Sequence, residues 1–292
     1  MISLSIVIVN YKSWLPLTEC LDSLLNQNNI NPKIIVVDND SQDNDELNKF
    51  ESKYNSIVWK RNEKNFGFSK ACNIGAKLAT SKWILFLNPD TIIPKDCLRK
   101  LMNKVEPLEK QIIGIKQINK EGKDTYAYGN FLNWYTINGI FRFFYRMLKN
   151  ISKDKLKKKE FFSPDWISGS FVLLQKKDFD EIGGWDEDFF MYYEDMDICK
   201  RARILNIKTK FYNSIFCYHM HGKSSRFDYN IKVNSKAQVI KSSHIYIKKH
   251  YKGLSRNIIS LILYISQATE LLILSIFVLS LIHISEPTRQ VL

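Results

Sequence analysis

Polar side chains follow three of the apolar runs in the first part of the chain. Asn10 follows a run of β-branched residues, Asp38 follows a second run, and residues 88–90 (Asn-Pro-Asp) follow a third. Pro89 lacks an amide hydrogen and has a fixed φ, so the third strand is expected to end there and to present Asp90 on a turn. A carboxylate presented in this way has the shape of a binding site, although an ordinary turn at the end of a strand has the same pattern.

The elements that must position these residues are strands alternating with helices. The apolar runs 4–9, 34–37, 57–59 and 83–87 predict strands, and segments of helical periodicity separate them. Short connections between alternating elements predict an α/β fold with a parallel sheet and helices on both faces. Ligands of such sheets bind beyond the carboxyl ends of the strands. The three polar clusters are therefore expected to converge on one edge.

The composition indicates a globular protein with anionic partners. Of the 292 residues 45% are hydrophobic and 25% charged, and 43 Lys and Arg against 30 Asp and Glu give a net charge of +13. Nucleic acid, an acidic membrane surface and phosphorylated substrates fit this charge. The sequence has no helix-turn-helix, zinc-finger or aromatic RNA-binding signature, so nucleic acid ranks third and is not the expected partner, and a basic nucleic-acid binder is a rival interpretation. Five scattered cysteines and a first strand with no secretion signal before it indicate a reducing cytoplasm.

Three stretches suggest a membrane surface. Residues 138–150 mix aromatic and basic side chains, and residues 153–159 hold five lysines. Segments that contact anionic lipid have this composition. A solvated basic loop beside an amphipathic helix has the same composition and is the alternative. Residues 258–278 are mainly apolar, and at about 1.5 Å per residue they would cross a hydrocarbon core of roughly 30 Å. Glu270 within them favours a partly buried or paired membrane helix, with a soluble core helix as the alternative.

Six short motifs occur in order along the chain. They are residues 5–11, 37–41, 65–69 with Asn73 and Gly75, 87–90, 166–170, and 183–197. Together they resemble the family 2 inverting glycosyltransferases, and among these the bacterial rhamnosyltransferase-like subgroup. The resemblance implies a GT-A fold, a Rossmann-like and mostly parallel sheet flanked by helices. It also implies a nucleoside diphosphate sugar as donor, with dTDP-rhamnose favoured over UDP-linked hexoses.

The resemblance divides the chain into four parts. Residues 1–225 would form the GT-A domain, 226–257 a basic helical extension, and 258–278 a transmembrane or membrane-associated helix. Residues 279–292 read like the translation of a sequencing-library adapter, and we leave them out of the fold prediction.

The resemblance also implies a donor site. Asp38 would contact the base of the nucleotide, and the segment from Asn65 to Asn73 would line the nucleotide side. The expected donor-binding residues are Asn10, Tyr11, Asp38, Asn65, Gly67, Phe68, Asn73, Asn88 and Asp90.

A divalent cation, Mn²⁺ or Mg²⁺, is implied as cofactor. Asp90 takes the last position of the family's D-x-D-type motif, in which an asparagine replaces the first acid here. One or two protein ligands suffice at phosphate sites, because phosphate oxygens and water complete the octahedron. His219 is the expected second ligand and His221 the competing choice, while Lys223 or Arg226 would stabilise the charge of the leaving group.

Transfer with inversion needs a base for the acceptor hydroxyl. Asp195 matches the family's base position, and we group Glu194 with it as catalytic, since the charges of Glu194 and Asp197 are expected to raise the pKa of Asp195. Alternatively, all three acids satisfy a helix N-terminus. Expected acceptor-side residues, with packing or turn roles as the alternative, are Trp166, Gly169 and Asp186.

The sequence thus predicts a glycosyltransferase at the cytoplasmic face of the inner membrane. It would move a sugar to a glycan or lipid-linked acceptor in cell-surface polysaccharide biosynthesis. The alternatives are a non-catalytic nucleotide-sugar-binding scaffold subunit of a glycan-assembly complex and a nucleotidyltransferase built on a similar sheet.

Overall fold

The computed structural model describes residues 3–41, 44–125, 127–133, 147, 159–220 and 229–285. The strands of this part are β1 (Leu4–Asn10), β2 (Lys33–Asp38), β3 (Val58–Arg61), β4 (Trp83–Leu87), β5 (Thr91–Ile92), β6 (Gln111–Ile118), β7 (Tyr128–Gly129), β8 (Phe161–Phe162), β9 (Trp166–Ile167), β10 (Phe171–Gln175) and β11 (Lys208–His219). The helices are α1 (Trp14–Leu25), α2 (Asn44–Lys53), α3 (Phe68–Leu78), α4 (Cys97–Lys104), α5 (Lys176–Ile182), α6 (Glu194–Ile204), α7 (Tyr229–His250) and α8 (Gly253–Ser285).

The central sheet has the strand order β3-β2-β1-β4-β10-β6-β11-β5, with β8 paired to β11, and β7 and β9 form a separate two-stranded sheet. The first four strands in this order are parallel, which confirms the α/β prediction for this half. β10 is antiparallel to both β4 and β6, whereas β6 and β11 are again parallel, so β10 is a reversed strand inside a sheet that is mostly parallel, as predicted. Phe171 at the start of β10 pairs with Leu87 at the end of β4. The chain therefore enters β10 at the carboxyl edge of β4 and runs back.

Alternate residues of β1 pack into two cores on opposite faces of the sheet. Ile6 and Ile8 lie in a cluster with Leu17 of α1, whereas Val7 lies in a cluster with Ala76 of α3. Successive strand side chains point to opposite faces, so a strand that is apolar throughout must be covered on both. The predicted helices on both faces are confirmed.

The polar ends of the first strands lie at one edge, as predicted. Asn10 and Asp38 are register partners at the ends of β1 and β2, and Ile8 is the partner of Leu87 at the end of β4. Residues 88–90 therefore follow at the same edge.

The chain divides into two compact units, Met1–Phe131 with Lys155–Tyr246, and Leu132–Asp154 with Ile247–Leu292. The first contains the central sheet. Helix α8 lies in the second and includes residues 258–278 and part of the predicted adapter-like tail. Within the described residues, no helix combines the length and apolar character that crossing a bilayer requires. Association of α8 with a membrane stays a prediction, and most of 138–150 and 153–159 falls outside the described residues.

Candidate active site

The end of β2 carries a buried carboxylate, that of Asp38. Asp38 is 5% exposed. Asn10, at the end of β1, donates from its Nδ2 to Asp38 Oδ1 over 3.1 Å. The backbone amide and the hydroxyl of Ser41 also donate to this carboxylate. Several donors to one carboxylate fix its orientation and compensate for lost water. The structure thus brings Asn10 and Asp38 together, and their contact with a nucleotide stays a prediction.

Asn39 organises the loop before α3, although the sequence analysis did not select it as a site residue. Its Nδ2 donates to Asn65 Oδ1 over 2.8 Å, and its Oδ1 accepts from the Phe66 amide over 3.1 Å. Asn65 Oδ1 in turn accepts from the Gly67 amide over 2.9 Å. The available signal was the position of Asn39 within the 37–41 motif. Its side chain holds Asn65 and Gly67 in place beside Asp38.

Gly67 and Phe68 connect this loop to the segment before α6. Gly67 has φ 82° and ψ 173°, a region that side chains other than glycine rarely enter. A Cβ on Gly67 would lie 2.4 Å from the carbonyl oxygen of Phe190, to which the Phe68 amide donates over 2.7 Å. The Phe68 ring meets the Trp185 ring edge to face at 5.7 Å between centroids. The predicted donor side is therefore attached to the segment that leads to Asp195.

Asn73 positions the turn at Trp185. Its Nδ2 donates to the Trp185 carbonyl over 2.8 Å, and its Oδ1 accepts from the Trp185 amide over 3.0 Å. A third bond joins Nδ2 to Glu187 Oε1 at 3.0 Å. The observed contacts of Asn73 are thus internal to the protein, and contact with a donor stays a prediction.

Asp90 and His219 face each other beyond the end of β4. They are 4% and 3% exposed, and His219 Nε2 lies 3.2 Å from Asp90 Oδ1. Thr91 pairs with His219 between β5 and β11, and the Met220 amide donates to the Asp90 carbonyl over 2.9 Å. The Asn88 carbonyl accepts from the Thr91 hydroxyl over 2.7 Å, which closes the turn. The sheet itself therefore sets the two side chains opposite each other.

This pair fits a divalent cation. Two ligands at adjacent corners of an octahedron lie about 3.0 Å apart when each is about 2.1 Å from the metal, and the Nε2 to Oδ1 separation of 3.2 Å is close to that edge. Imidazole with carboxylate is a donor set that suits Mn²⁺. Within the described ranges no three or more His, Cys, Asp or Glu converge on one point, so phosphate and water would supply the other ligands. His221, Lys223 and Arg226 fall outside the described residues.

Gln117 of β6 contacts His219 through the ring nitrogen that does not face Asp90, and it is not among the predicted site residues. It is 1% exposed, its Oε1 lies 2.8 Å from His219 Nδ1, and it accepts a 2.9 Å hydrogen bond from Ser170 Oγ. Gln117 lies 102 positions from His219, in a stretch for which the sequence predicts no strand. Nothing in the local sequence indicates the contact.

The loop 168–170 between β9 and β10 touches both predicted centres. The Gly169 amide donates to Asp195 Oδ2 over 3.2 Å, and the Ser170 carbonyl accepts from the Asn88 amide over 3.1 Å. Ser170 also reaches Gln117 through its hydroxyl. One short loop thus connects the acid of α6 to the Asn-Pro-Asp turn and to the histidine.

Asp195 is a partly exposed carboxylate in the first turn of α6. The amides of Gly169 and Met196 donate to it over 3.2 and 2.8 Å. Burial raises its pKa to about 6, and the backbone hydrogen bonds oppose that rise. We predicted that the charges of Glu194 and Asp197 raise the pKa of Asp195; this prediction is wrong, because burial is the main cause. Asp197 in particular forms a buried ion pair with Arg201 Nε at 2.7 Å.

Glu194 is more deeply buried than Asp195. It is 7% exposed, and its Oε2 has no hydrogen-bond partner among the described residues. Burial, followed by the charge of Asp195, raises the pKa of Glu194 well above its ordinary value. Burial thus favours the protonated form of Glu194. Of the two acids that we predicted as catalytic, Asp195 is the less buried, and its carboxylate is held by two backbone amides.

Two tyrosines before α6 have left-handed backbones. Tyr192 has φ 71° and Tyr193 has φ 68°, a conformation that costs roughly 1–3 kcal/mol for each residue of this kind. The Tyr193 carbonyl accepts from the Asp197 amide over 2.8 Å, which starts the helix. This turn directs Glu194 into the interior and Asp195 toward loop 168–170.

The remaining predicted residues have contacts within the protein. Trp166 Nε1 donates to the Asn130 carbonyl over 2.9 Å, and Asp186 Oδ1 accepts from the Asp188 amide over 3.0 Å. Tyr11 is half-buried at the end of β1, close to Asp38's partner Asn10. A role toward acceptor or donor stays a prediction for these side chains.

Comparison with known proteins agrees with this architecture. Residues 5–183 match the model of the family described as glycosyl transferase family 2. Rhamnosyltransferase WbbL of Escherichia coli (strain K12) is 27% identical over 164 residues, 53% of this chain and 61% of the relative. The low-salt glycan biosynthesis hexosyltransferase Agl10 of Haloferax volcanii is 30% identical over 208 residues, 70% of this chain and 62% of the relative. The chain thus spans less than two thirds of the length of these relatives.

A solved structure shares the fold. The crystal structure of GalNAc-T7 with UDP, GalNAc and Mn²⁺ superposes with a TM-score of 0.59 at 18% identity, over 76% of this chain and 44% of that one. The likeness at this identity concerns the fold alone. The family model, in contrast, covers more than half of the sequence and includes Asn10, Asp38, Asp90 and loop 168–170. The chain therefore belongs to glycosyl transferase family 2.

Proposed function

We propose that this chain is an inverting glycosyltransferase that uses a nucleoside diphosphate sugar and a divalent cation. The single observation that carries the proposal is the loop 168–170, which binds the Asp195 carboxylate directly and reaches the Asp90–His219 pair through Asn88 and Gln117. A base and a cation site held by one loop are what direct displacement at a sugar carbon requires. The names of the curated relatives, a rhamnosyltransferase and a hexosyltransferase, support the same reaction class.

In this mechanism Asp195 accepts the proton of the acceptor hydroxyl as the oxygen attacks the sugar carbon. Its pKa of about 6 is below neutral pH, so the carboxylate is mainly ionised there. Because this pKa is higher than that of an ordinary aspartate, the carboxylate is also a stronger base. Gly169 and Met196 amides hold both carboxylate oxygens, so the base keeps one orientation. Asp90 and His219 would hold the cation. When bound, the cation would stabilise the negative charge of the departing diphosphate.

The proposed donor is dTDP-rhamnose or a related nucleotide sugar, and the proposed acceptor is a glycan or lipid-linked sugar of cell-surface polysaccharide biosynthesis. Asp38, with Asn10 behind it, would accept hydrogen bonds from the base of the nucleotide. GalNAc-T7, which shares the fold, was crystallised with UDP and Mn²⁺. That structure supports a nucleotide and a cation as ligands of this fold, and the identity of the sugar rests on the resemblance to the rhamnosyltransferase-like subgroup.

We further propose that the enzyme works at the cytoplasmic face of the inner membrane. Exposed apolar residues recur along α8 at helical spacing, namely Leu254, Ile258, Leu261, Ile265 and Leu272. Lys248 and Lys252 precede this stripe, and Arg256 lies between its first two residues. An apolar stripe beside basic residues suits an anionic lipid surface. Sedimentation with anionic vesicles tests this, and Leu261→Glu is expected to weaken it; equal sedimentation of the variant and the native chain would contradict the role of α8.

The proposed reaction is tested by release of nucleoside diphosphate from a panel of nucleotide sugars in the presence of Mn²⁺. We expect release with one donor, loss of release with chelator or in Asp90→Ala, and retention in Asp180→Ala, which changes an exposed acid of α5 that pairs with Lys176. Nucleotide-sugar binding without turnover, with any acceptor supplied, would instead favour the scaffold subunit. Release of inorganic diphosphate from a nucleoside triphosphate would indicate a nucleotidyltransferase.

A further inference from the structure

Gln117 receives two polar contacts at one atom deep in the protein. Its Oε1 lies 2.8 Å from His219 Nδ1 and accepts from Ser170 Oγ over 2.9 Å, and the residue is 1% exposed. An amide oxygen has no hydrogen to donate. A hydrogen bond between Oε1 and Nδ1 therefore requires that the imidazole carry its proton on Nδ1.

This arrangement determines what the other ring nitrogen can do. A neutral imidazole has one N–H and one bare nitrogen, and the bond made by the first sets the role of the second. With the proton on Nδ1, the bare nitrogen is Nε2, which lies 3.2 Å from Asp90 Oδ1. A metal ligand needs a bare nitrogen, and a hydrogen bond on the far side of the ring also fixes its orientation.

We propose that Gln117 is a positioning residue, which holds His219 in the tautomer protonated on Nδ1 and so presents Nε2 to the cation shared with Asp90. The inference rests on the proposed function of His219 as a cation ligand. In this orientation the Ser170 hydroxyl donates to the same amide oxygen over 2.9 Å. Because the Gly169 amide binds Asp195, Gln117 also couples the histidine to the loop that orients the base.

The competing arrangement is the reversed amide. It would present Nε2 of Gln117 to the histidine as a donor, and the imidazole proton would then lie on Nε2 of His219, facing Asp90. The two arrangements differ in which imidazole nitrogen is protonated. That difference is measurable by long-range ¹H–¹⁵N NMR on protein labelled with ¹⁵N-histidine.

The matched control is Gln111, at the other end of β6. It is also 1% exposed, and its Nε2 donates to the Glu106 carbonyl over 3.0 Å. Gln111→Met and Gln117→Met therefore remove the same buried amide from the same strand. Gln111 lies away from His219. A general effect of losing a buried amide from the sheet should therefore appear in both variants, whereas an effect specific to His219 should appear only in Gln117→Met.

The spectra are recorded without metal at about pH 8, and the His219 signals are assigned by their loss in His219→Ala. We expect protonation on Nδ1 in the native chain and in Gln111→Met, and loss of that preference in Gln117→Met. Protonation of His219 on Nε2 in the native chain would overturn the proposal. So would an unchanged tautomer in Gln117→Met.

The affinity for Mn²⁺ alone, followed by the EPR signal of the free ion, gives a second readout. Gln117→Met is expected to weaken it by about 10- to 100-fold, while Gln117→Glu, which keeps an acceptor at this position, stays close to the native affinity. Equal affinity of Gln117→Met and the native chain would contradict the positioning role. Equal affinity of His219→Ala and the native chain would instead contradict His219 as a ligand, and the tautomer measurement would still decide the role of Gln117.

Discussion

The two centres of the site are held in place by different means. Asp195 is partly exposed and bound by two backbone amides, those of Gly169 and Met196. Asp90 and His219 are almost fully buried, and the imidazole is oriented by a side chain, that of Gln117. A backbone donor is unchanged by most substitutions, whereas a side-chain donor or acceptor is lost with one. The base is therefore expected to tolerate changes around it that the cation pair does not.

The largest expected effect on stability concerns the backbone that leads to the base. In Gly67→Ala the new Cβ would lie 2.4 Å from the Phe190 carbonyl oxygen. The backbone at this position also has φ 82° and ψ 173°, which alanine rarely adopts. We expect a loss of about 3 kcal/mol in the free energy of unfolding, measured by urea denaturation.

Gly183→Ala is the comparison variant. Gly183 has φ 87° and ψ 21°, in the left-handed helical region, whereas Gly67 has ψ 173°. Among the described residues, and apart from its chain neighbours, no atom lies within 4 Å of the Cβ position of Gly183. We expect a loss of about 1 kcal/mol from the left-handed backbone alone. Equal losses in the two variants would show that the contact between Gly67 and Phe190 does not brace the base side.

The effect of Mn²⁺ on thermal stability should distinguish the cation pair from the base. At a free concentration of about 100 times Kd, a ligand stabilises the folded state by about 2.7 kcal/mol, so Mn²⁺ should raise the Tm of the native chain. Asp195→Asn should keep this rise because Asp195 is not in the cation pair, and Asp90→Ala should lose it. Thermal unfolding with and without Mn²⁺ measures both. A rise in Asp90→Ala as large as in the native chain would remove Asp90 from the cation site.

The pH dependence of stability should report the raised pKa of the base. The pKa of Asp195 is raised from 3.8 to about 6 on folding, so the folded protein binds the proton more tightly than the unfolded chain does. The native chain therefore loses stability as pH rises from about 4 to above 6. Asn cannot ionise, so Asp195→Asn should become more stable than the native chain above pH 6, and the difference should shrink toward pH 4. A constant difference across this range, measured by urea denaturation, would contradict the raised pKa.

The smallest effect is expected for Gly169→Ala. Its Cβ would lie 3.4 Å from Phe68 Cε1 and 3.7 Å from Asp195 Cβ, which are ordinary contacts, and the amide that binds Asp195 is retained. We expect turnover within about threefold of the native chain and a stability change below about 1 kcal/mol. A large loss of turnover would show that the side chain, and not the amide alone, matters at this position.

The sequence was sufficient for the half of the fold that is parallel and local. Asn10, Asp38 and Asp90 each end an apolar run, and strand–helix alternation places such ends at one edge. The direction of β10 was missed because an apolar run of four residues, 171–174, has no inherent direction. Gln117 was missed for a related reason: its contact with His219 spans 102 positions and depends on β6 and β11 pairing side by side. Burial as the cause of the raised pKa of Asp195 likewise depends on packing that spacing does not reveal.

The central claim is that Asp195 is the base of the transfer. The most direct test is the turnover of Asp195→Asn, measured by nucleoside diphosphate release together with the affinity for the donor, beside Asp180→Asn as control. We predict that turnover falls by about 10³-fold, while donor affinity changes by less than about threefold and the control behaves like the native chain. Turnover of Asp195→Asn close to that of the native chain would contradict the account.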